Sequence, residues 1–283
     1  AGCGDAKKVI NKIKPDVLFS KGGFVSVPAV LAASRAKVPV ITHESDMTPG
    51  LANKIIKHYA AKICVTFPET LKYISGGKGI AVGSPIRDSL YQGRMENARR
   101  LLAFTDNGKP VILIMGGSLG AKAINTAVRN NLDALCKKYN IIHLCGKNNI
   151  VNNEVTARNG GSYRQFEFVS DELPDMLAFA DCIISRAGSN AIHEFAALAK
   201  PMLLIPLPLS ASRGDQIMNA ESFKKRGFAV VLDEDGMDDN IFINGVNELF
   251  MRRNQLKQAM QNSEALNATK KILEIIESTI DRA

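Results

Sequence analysis

Residues 109–127, KPVILIMGGSLGAKAINTA, have the composition of a phosphate-binding segment. An apolar run at 111–115 predicts a short strand, two glycines interrupt it, and apolar residues with helical spacing resume at Ala121. Glycines let a backbone approach an anion, and a helix start offers unpaired N–H groups with partial positive charge. Ser118 can cap that helix or donate to a phosphate oxygen. The glycine spacing differs from that of dinucleotide-binding loops, so a tight turn without a ligand is an equal alternative.

Two further loops, SRAGSN at 185–190 and PLSASRGDQ at 208–216, also lead from predicted strands to helix starts. Carboxyl ends of parallel strands meet at one edge of a sheet, so the three loops predict an anion-binding rim. Glu194 suits a ribose diol, because one carboxylate can accept hydrogen bonds from both hydroxyls. Gln216 carries donors and acceptors for sugar hydroxyls. The alternatives are a surface acid for Glu194 and a plain helix-start amide for Gln216.

The elements that must position these loops alternate between strand and helix. Residues 1–14 are predicted to be helical, and the patterns after them predict a βαβαβ unit. A stretch rich in glycine and proline, 76–87, predicts a domain boundary, and a second series of strands and helices follows. The predicted strands are 17–20, 38–42, 62–66, 111–115, 140–145, 166–169, 182–185, 202–206 and 229–232; the predicted helices include 28–36, 51–59, 121–137, 190–199 and 216–225.

Composition limits the class of protein. The 283 residues are 46% hydrophobic and 23% charged, which predicts a soluble globular protein with two domains. No apolar run approaches the length of a membrane-spanning helix, and no signal peptide is predicted. The five cysteines are scattered without a CxxC pair, which predicts reduced thiols in a cytosolic protein.

Charge is concentrated in the first third of the chain. Residues 1–90 hold 13 lysines and arginines against 6 acids, a net of +7, whereas the remainder carries +1. This asymmetry predicts that the first part faces an anionic surface. The aromatic residues expected of a nucleic-acid platform are missing, so an anionic membrane is the preferred partner and nucleic acid is not predicted. A merely soluble basic surface is the alternative.

Four collinear motifs carry a family resemblance: HESDMTPGLANK at 43–54, GGSLGA at 116–121, ISRAGSNAIHE at 184–194, and KPMLLIPLP followed by GDQIMNA at 200–220. Together they resemble the MurG family, the UDP-N-acetylglucosamine:lipid I N-acetylglucosaminyltransferases of peptidoglycan synthesis. The resemblance implies an α/β GT-B fold of two Rossmann-like parallel-sheet domains with a cleft between them. Residues 1–87 would form the acceptor and membrane-facing domain, 88–262 the UDP-sugar donor domain, and 263–283 a C-terminal helix.

The resemblance also implies roles for individual residues. Ser118, with Gly117 and Gly120, would hold the UDP diphosphate, and Arg87 would pair with it. The backbone of Val169 would meet the uracil. The segment 188–194, with Gly188, Ser189, Asn190 and Glu194, would line the nucleotide with Glu194 on the ribose, and Gln216 would contact the sugar. His43 and Glu44 would lie near the acceptor as the candidate catalytic residues, with turn-fixing roles in a polar loop as the alternative.

The chain departs from the family pattern at two places. The glycine-rich loop of the family's first βα unit is not found before Lys14, so the first domain is expected to be incomplete and the catalytic base can lie in the missing segment. Asp46 stands where many members have asparagine. No DxD-like acidic pair accompanies the GGSLGA loop, so no cofactor is required and a divalent metal is not indicated.

The implied activity is inverting transfer of N-acetylglucosamine from UDP-N-acetylglucosamine to the 4-hydroxyl of the muramyl sugar of lipid I, an undecaprenyl diphosphate. The product is lipid II, and the expected location is the cytoplasmic face of the bacterial membrane. Two alternatives stay open: a related GT-B transferase with another lipid acceptor, and an inactive UDP-sugar-binding fragment. An NAD-dependent oxidoreductase fails on motif spacing.

Overall fold

The computed structural model describes residues 2–117, 119–263 and 268–281. Contacts divide them into two compact units, one within 1–85 and 264–283 and the other within 86–263. The change of unit therefore falls within the glycine- and proline-rich stretch at 76–87. Each unit contains one sheet whose strands are all parallel, as the α/β pattern predicts.

The sheet of the first unit has the order β1-β2-β3-β4. Its side chains alternate between two apolar clusters: Val40 and Ile63 belong to one, and Ile41 and Cys64 to the other. Both faces are therefore covered, as parallel sheets require. The strands are β1 (Leu18–Ser20), β2 (Val40–Glu44), β3 (Lys62–Val65) and β4 (Gly79–Ala81); the helices before residue 85 are α1 (Gly2–Ile13), α2 (Val27–Arg35) and α3 (Leu51–Ile56), with short 3-10 turns at Phe24–Ser26 and Pro68–Tyr73.

The sheet of the second unit has the order β10-β9-β8-β5-β6-β7, with β5 near its centre. The 3-10 turn Asp88–Gln92 and α4 (Met95–Leu102) precede it. The strands are β5 (Val111–Met115), β6 (Asn140–Leu144), β7 (Tyr163–Phe166), β8 (Cys182–Ser185), β9 (Met202–Leu204) and β10 (Ala229–Val231); the helices are α5 (Lys122–Asn130), α6 (Leu132–Lys138), α7 (Glu154–Arg158), α8 (Leu173–Phe179), α9 (Ser189–Ala197), α10 (Asp215–Lys225) and α11 (Asp239–Gln261).

Two local predictions in the second unit are wrong. The strand predicted at 166–169 lies instead at 163–166, because β7 pairs with β6 from Tyr163 to Phe166. Phe168 lies beyond the strand and is exposed. The predicted helix 121–137 is two helices that meet at Asn131. The side-chain amide of Asn131 donates to the carbonyl of Ala127 at 2.8 Å, a local bond that competes with helix continuation.

The last described helix, α12 (Ala268–Ile280), returns to the first unit. Ile272 is 5% exposed and packs with Ile41, Cys64 and Val82 on the sheet face opposite the cluster that contains Val30 and Val40. The segment set apart in the sequence as a C-terminal helix thus completes the core of the first unit.

We expect Ile272→Ala to lower the free energy of unfolding of the first unit by about 2–5 kcal/mol, the usual cost of truncating a buried isoleucine. Leu273, the next residue, is 52% exposed. Leu273→Ala is therefore the matched control and should change stability by less than about 0.5 kcal/mol. Urea denaturation followed by circular dichroism measures both, and equal effects would contradict the packing of α12.

Candidate functional site

The three predicted loops follow strands that are neighbours in the second sheet. β9 pairs with β8, and β8 pairs with β5, all in parallel. The loops after these strands lead into α10, α9 and α5 respectively. The sheet order therefore brings the starts of three helices to one edge, where ligands of open parallel sheets bind.

The loop after β5 has the backbone that its glycines predict. Gly117 and Gly120 have φ of +89° and +79°, which side chains rarely adopt. A Cβ at Gly116 would collide with the backbone nitrogen of Ala121, so the turn is too tight for any other residue there. Ser118 lies outside the described residues. Leu119 is 82% exposed and points to solvent.

This loop packs directly on the turn after β6. A Cβ at Gly120 would collide with the carbonyl oxygen of Cys145, and a Cβ at Gly146 would collide with the backbone of Gly120. Asn149 adds a hydrogen bond from its side chain to the carbonyl of Leu119 at 3.3 Å. Gly146 is therefore needed for the loop after β5 to pack here, as a glycine at the end of a predicted strand could have indicated.

A series of buried hydrogen bonds between side chains also supports the same two turns. Asn125 of α5 donates to the carbonyl of Cys145 at 2.8 Å and accepts from His143 Nε2 at 2.9 Å. The other ring nitrogen of His143 lies 2.9 Å from the hydroxyl of Tyr163. Burial, with a smaller contribution from Arg129, lowers the pKa of His143 to about 3, so the ring is neutral at pH 7. Sequence reasoning missed this chain, because its members come from three separate elements.

The start of α9 is open to a ligand. Gly188 precedes it without a side-chain cap, and a Cβ at that position would meet nothing within 4 Å. Ser189 and Asn190 form its first turn, and the Asn190 side chain is exposed. A helix start without a side-chain cap has N–H groups available to an anion.

Glu194, one turn further along α9, pairs with Arg87. The Arg87 Nη2 and Glu194 Oε1 atoms are 3.2 Å apart, with 64% and 19% of the two side chains exposed. Burial raises the pKa of Glu194, and the Arg87 charge opposes that rise. The structure thus joins two predicted ligand-binding residues to each other.

The next two loops are tied together by side chains that sequence reasoning did not single out. Arg186 is buried and donates to the carbonyls of Ile205 and Pro206 at 3.0 and 3.2 Å, and it forms an ion pair with Glu234. Asn219 of α10 donates to the carbonyl of Ala187 at 3.1 Å, and its Oδ1 has no hydrogen-bond partner among the described residues.

Gln216 and Val169 complete the predicted donor residues. Gln216 Oε1 accepts from the backbone N–H of Leu207 at 3.1 Å and so shapes the loop after β9. Val169 is buried just beyond the end of β7. Within the described residues, no group of three His, Cys, Asp or Glu side chains that could hold a metal ion is found.

Residues 111–277 match the glycosyltransferase family 28 C-terminal domain and residues 2–65 its N-terminal domain. The UDP-N-acetylglucosamine--N-acetylmuramyl-(pentapeptide) pyrophosphoryl-undecaprenol N-acetylglucosamine transferase of Clostridium tetani is 51% identical over 98% of this chain and 76% of its own length. The chain belongs to the MurG branch of glycosyltransferase family 28.

Other comparisons agree. The enzyme of the same name from Clostridium novyi is 50% identical over 98% of this chain and 76% of its own length. The crystal structure of Acinetobacter baumannii MurG superposes with a TM-score of 0.74 at 26% identity, covering 98% of this chain and 78% of that one. The UDP-GlcNAc 2-epimerase of Neisseria meningitidis shares the fold alone, with a TM-score of 0.69 at 14% identity over 98% and 80% of the chains. The GT-B fold class expected for a MurG relative is thereby confirmed.

His43 and Glu44 do not lie in a loop of this MurG relative, contrary to the prediction. Both belong to β2, because β2 continues to pair with β3 through Cys64 and Val65, and both are buried. His43 Nε2 is 2.9 Å from the carbonyl oxygen of Gly83, and burial is the main cause that lowers the pKa of His43 to about 4. A neutral, fully bonded imidazole of this kind is a poor proton acceptor near pH 7.

Glu44 shapes the turn that follows β2. Its carboxylate accepts from the backbone N–H groups of Asp46 and Gly50 and from the side chain of Asn53, at 3.0, 3.1 and 2.8 Å. Asn53 in turn accepts from Thr42 at 3.2 Å. These contacts favour the turn-fixing role that the sequence left open over a role in proton transfer.

We expect Asn125→Ala to weaken UDP binding, because the loop that packs on Cys145 loses its support. The change removes the partner of His143 Nε2 and the donor to the Cys145 carbonyl, at about 1–3 kcal/mol of stability for each buried group. Thr126→Ala is the matched control, since Thr126 is exposed on the same helix. Calorimetric titration with UDP and thermal denaturation measure the two effects. Unchanged UDP affinity in Asn125→Ala would show that the chain of buried bonds does not support the loop.

Proposed function

We propose that this chain transfers N-acetylglucosamine from UDP-N-acetylglucosamine to the lipid-linked N-acetylmuramyl pentapeptide lipid I, forming lipid II in peptidoglycan synthesis. The observation that carries the proposal is the 51% identity to the Clostridium tetani transferase along 98% of this chain. The arrangement of the second unit supports it, because three helix starts and a glycine loop lie at one sheet edge.

The donor nucleotide would occupy that edge. We assign its diphosphate to the loop 116–121, including Ser118, and to the open start of α9. The uracil would meet the backbone at Val169, and the ribose hydroxyls would donate to Glu194. Gln216 retains an amide NH2 group for sugar hydroxyls, because only its oxygen is used by Leu207.

Arg87 would change partner when the donor binds. Without a ligand its guanidinium pairs with Glu194. The diphosphate is a stronger anion for a guanidinium than a single carboxylate, and the ribose hydroxyls can replace the arginine on Glu194. We therefore propose that donor binding opens this ion pair and leaves Arg87 on the diphosphate.

The proposed chemistry is a single inverting displacement. The 4-hydroxyl oxygen of the muramyl sugar forms a bond to the anomeric carbon of N-acetylglucosamine as the bond from that carbon to the diphosphate oxygen breaks. The hydroxyl proton passes to a base, and UDP leaves with the electron pair. Backbone N–H groups aimed at the leaving diphosphate stabilise the charge it gains, and one such donor is worth about 2.7–4 kcal/mol in other enzymes.

A transfer assay with a lipid I analogue, together with calorimetry of UDP, tests the proposal. Binding of UDP with formation of the disaccharide product supports it. Transfer to another lipid in preference to lipid I would favour the related transferase, and UDP binding without transfer to any acceptor would favour the inactive binding fragment. Failure to bind UDP would contradict the proposed donor site itself.

We expect Glu194→Ala to reduce UDP affinity roughly 10- to 100-fold, since a hydrogen bond to a charged group is worth about 1.5–3 kcal/mol. Glu154→Ala, an exposed acid of the same unit, is the control and should bind UDP normally. Calorimetry gives both dissociation constants. If Glu194→Ala binds UDP as tightly as the parent chain, Glu194 does not hold the ribose.

We also propose that the first unit docks on an anionic membrane surface at the cytoplasmic face. Leu51 and Ile55 of α3 are 77% and 42% exposed, and Lys54 lies between them. Lys54 and Lys57 line a shallow cavity with Tyr73, and Lys62 begins β3. Apolar side chains among lysines suit the interface of an anionic leaflet. No helix among the described residues has the length and hydropathy of a membrane span.

The double variant Lys54→Gln/Lys57→Gln should bind phosphatidylglycerol vesicles roughly tenfold or more weakly, since each lysine near such a surface contributes about 1 kcal/mol. The control Lys137→Gln/Lys225→Gln removes the same charge from exposed positions of the second unit. Vesicle flotation at low and high salt measures the binding. Equal binding by the two double variants would contradict docking through α3.

A further inference from the structure

A cavity of about 280 Å³ lies in the second unit at the amino ends of β8 and β9. Its wall contains Asp181, directly before β8, and Lys200, shortly before β9, and α11 contributes Arg253 and Lys257. The edge proposed for the donor nucleotide is at the carboxyl ends of the same strands. The cavity is therefore at the opposite end of the sheet, and the proposed chemistry does not use it.

Lys200 places an ammonium group inside this wall, at the end of α8. Its Nζ donates to the carbonyl oxygens of Ala178 and Ala180 at 3.0 and 2.7 Å. These bonds satisfy carbonyls that the end of the helix leaves open. Burial is the largest cause that lowers the pKa of Lys200, so the surroundings disfavour its charge. An ammonium has three N–H donors, and the third is left for a ligand.

Two further cations reach the cavity from α11. Arg253 and Lys257 are exposed and four residues apart, so they are neighbours on one face of the helix. Arg253 donates from Nη1 to the carbonyl of Phe250 at 2.8 Å, which leaves most of its five N–H donors for a ligand. The charge of Lys257 also lowers the pKa of Lys200, so the two ammonium groups are close enough to repel each other.

One carboxylate faces these three cations. Asp181 opposes the effect of burial on the pKa of Lys200, and its Oδ2 accepts from the backbone N–H of Val111 at 2.7 Å. Within the part of the chain that the structure describes, no ion pair of Lys200, Arg253 or Lys257 is found. The cavity therefore has a surplus of positive charge, and an anion between the cations would remove their repulsion.

The donor groups are those that suit a phosphate. A guanidinium presents its N–H groups in a planar fork that matches two oxygens of a phosphate, and an ammonium adds a compact charge. Charge-assisted hydrogen bonds of this kind are stronger than bonds between neutral groups. Lys200 and Arg253 belong to different elements, so the fold rather than one helix brings the donors together.

We propose that this cavity is a second anion site of the chain, which binds a phosphate group between Lys200, Arg253 and Lys257. The inference does not rest on the proposed function, because none of these residues belongs to the three loops assigned to the donor nucleotide. Free phosphate and the phosphate of a small ester share the chemistry that these side chains recognise.

Calorimetric titration with inorganic phosphate tests the site, first without UDP and then with UDP at saturation. Sodium chloride keeps the ionic strength constant. The parent chain should bind one phosphate with the same affinity in both titrations. Absence of binding would overturn the inference. Binding that disappears when UDP is added would place the phosphate at the proposed donor site and would also overturn it. Normal phosphate binding by a chain that does not bind UDP would count against the proposed function alone.

The double variant Arg253→Gln/Lys257→Gln should bind phosphate roughly tenfold or more weakly, because charge-assisted hydrogen bonds are lost. Both side chains are exposed, so the fold should persist, and thermal denaturation checks this. Lys137→Gln/Lys225→Gln is the matched control, since it removes the same charge from other exposed positions of the second unit. Equal phosphate affinities in the two double variants would overturn the inference.

NMR of the Lys200 side chain locates the ligand without altering that residue, whose bonds to α8 serve the fold. The Lys200 Nζ signal should shift when phosphate is added to the parent chain, and it should not shift in Arg253→Gln/Lys257→Gln. The same titration with glycerol 3-phosphate separates the two sources. A larger affinity for either ligand, with a shift of Lys200, supports the site and assigns its ligand. A Lys200 signal that responds to neither ligand would overturn the inference.

Discussion

The close packing of two backbone turns, at 116–120 after β5 and at 145–146 after β6, is the constraint on which the proposed donor site depends. No side chain can stand at Gly120 or Gly146, because the two backbones touch there. The position of the loop 116–120 is consequently fixed against the turn that follows the adjacent strand β6. The buried chain from Asn125 to Tyr163 secures the same turns through Cys145.

The edge proposed to bind the donor offers backbone groups more than side-chain cations. Arg186, the buried cation beside the loops, is occupied by two carbonyls and Glu234. Arg87 is occupied by Glu194. Helix starts and glycine turns present partial positive charges on backbone N–H groups, and no charged side chain has to be desolvated. Such groups can therefore keep the same arrangement with and without a ligand.

The two units use a buried neutral histidine in the same way. In each, the ring lies on a strand of a parallel sheet, its pKa is lowered by burial, and its two nitrogens connect neighbouring elements. His143 connects β7 with α5, and His43 connects the turn after β1 with Gly83. The polar contacts of both rings are satisfied inside the fold, which explains why neither is suited to exchange protons at neutral pH.

Sequence patterns were sufficient for features that depend on neighbouring residues. Alternating strands and helices predicted two parallel sheets, and the glycines at 116–120 predicted a turn, in which Gly117 and Gly120 have positive φ. Local patterns predicted the wrong bounds where contacts between residues set the ends of an element. β7 begins at Tyr163 because it pairs with β6 there, and Asn131 ends a helix although the apolar spacing continues beyond it.

The sequence by itself determined the fold class and the family, because motif order and hydrophobic periodicity are properties of the chain alone. Only the tertiary structure decided that His43 and Glu44 are buried on a strand, that Arg87 pairs with Glu194, and that Lys21 rests on His43. Each of these depends on residues from different elements meeting in space. Burial and hydrogen bonding then set their charge states, which spacing along the chain does not encode.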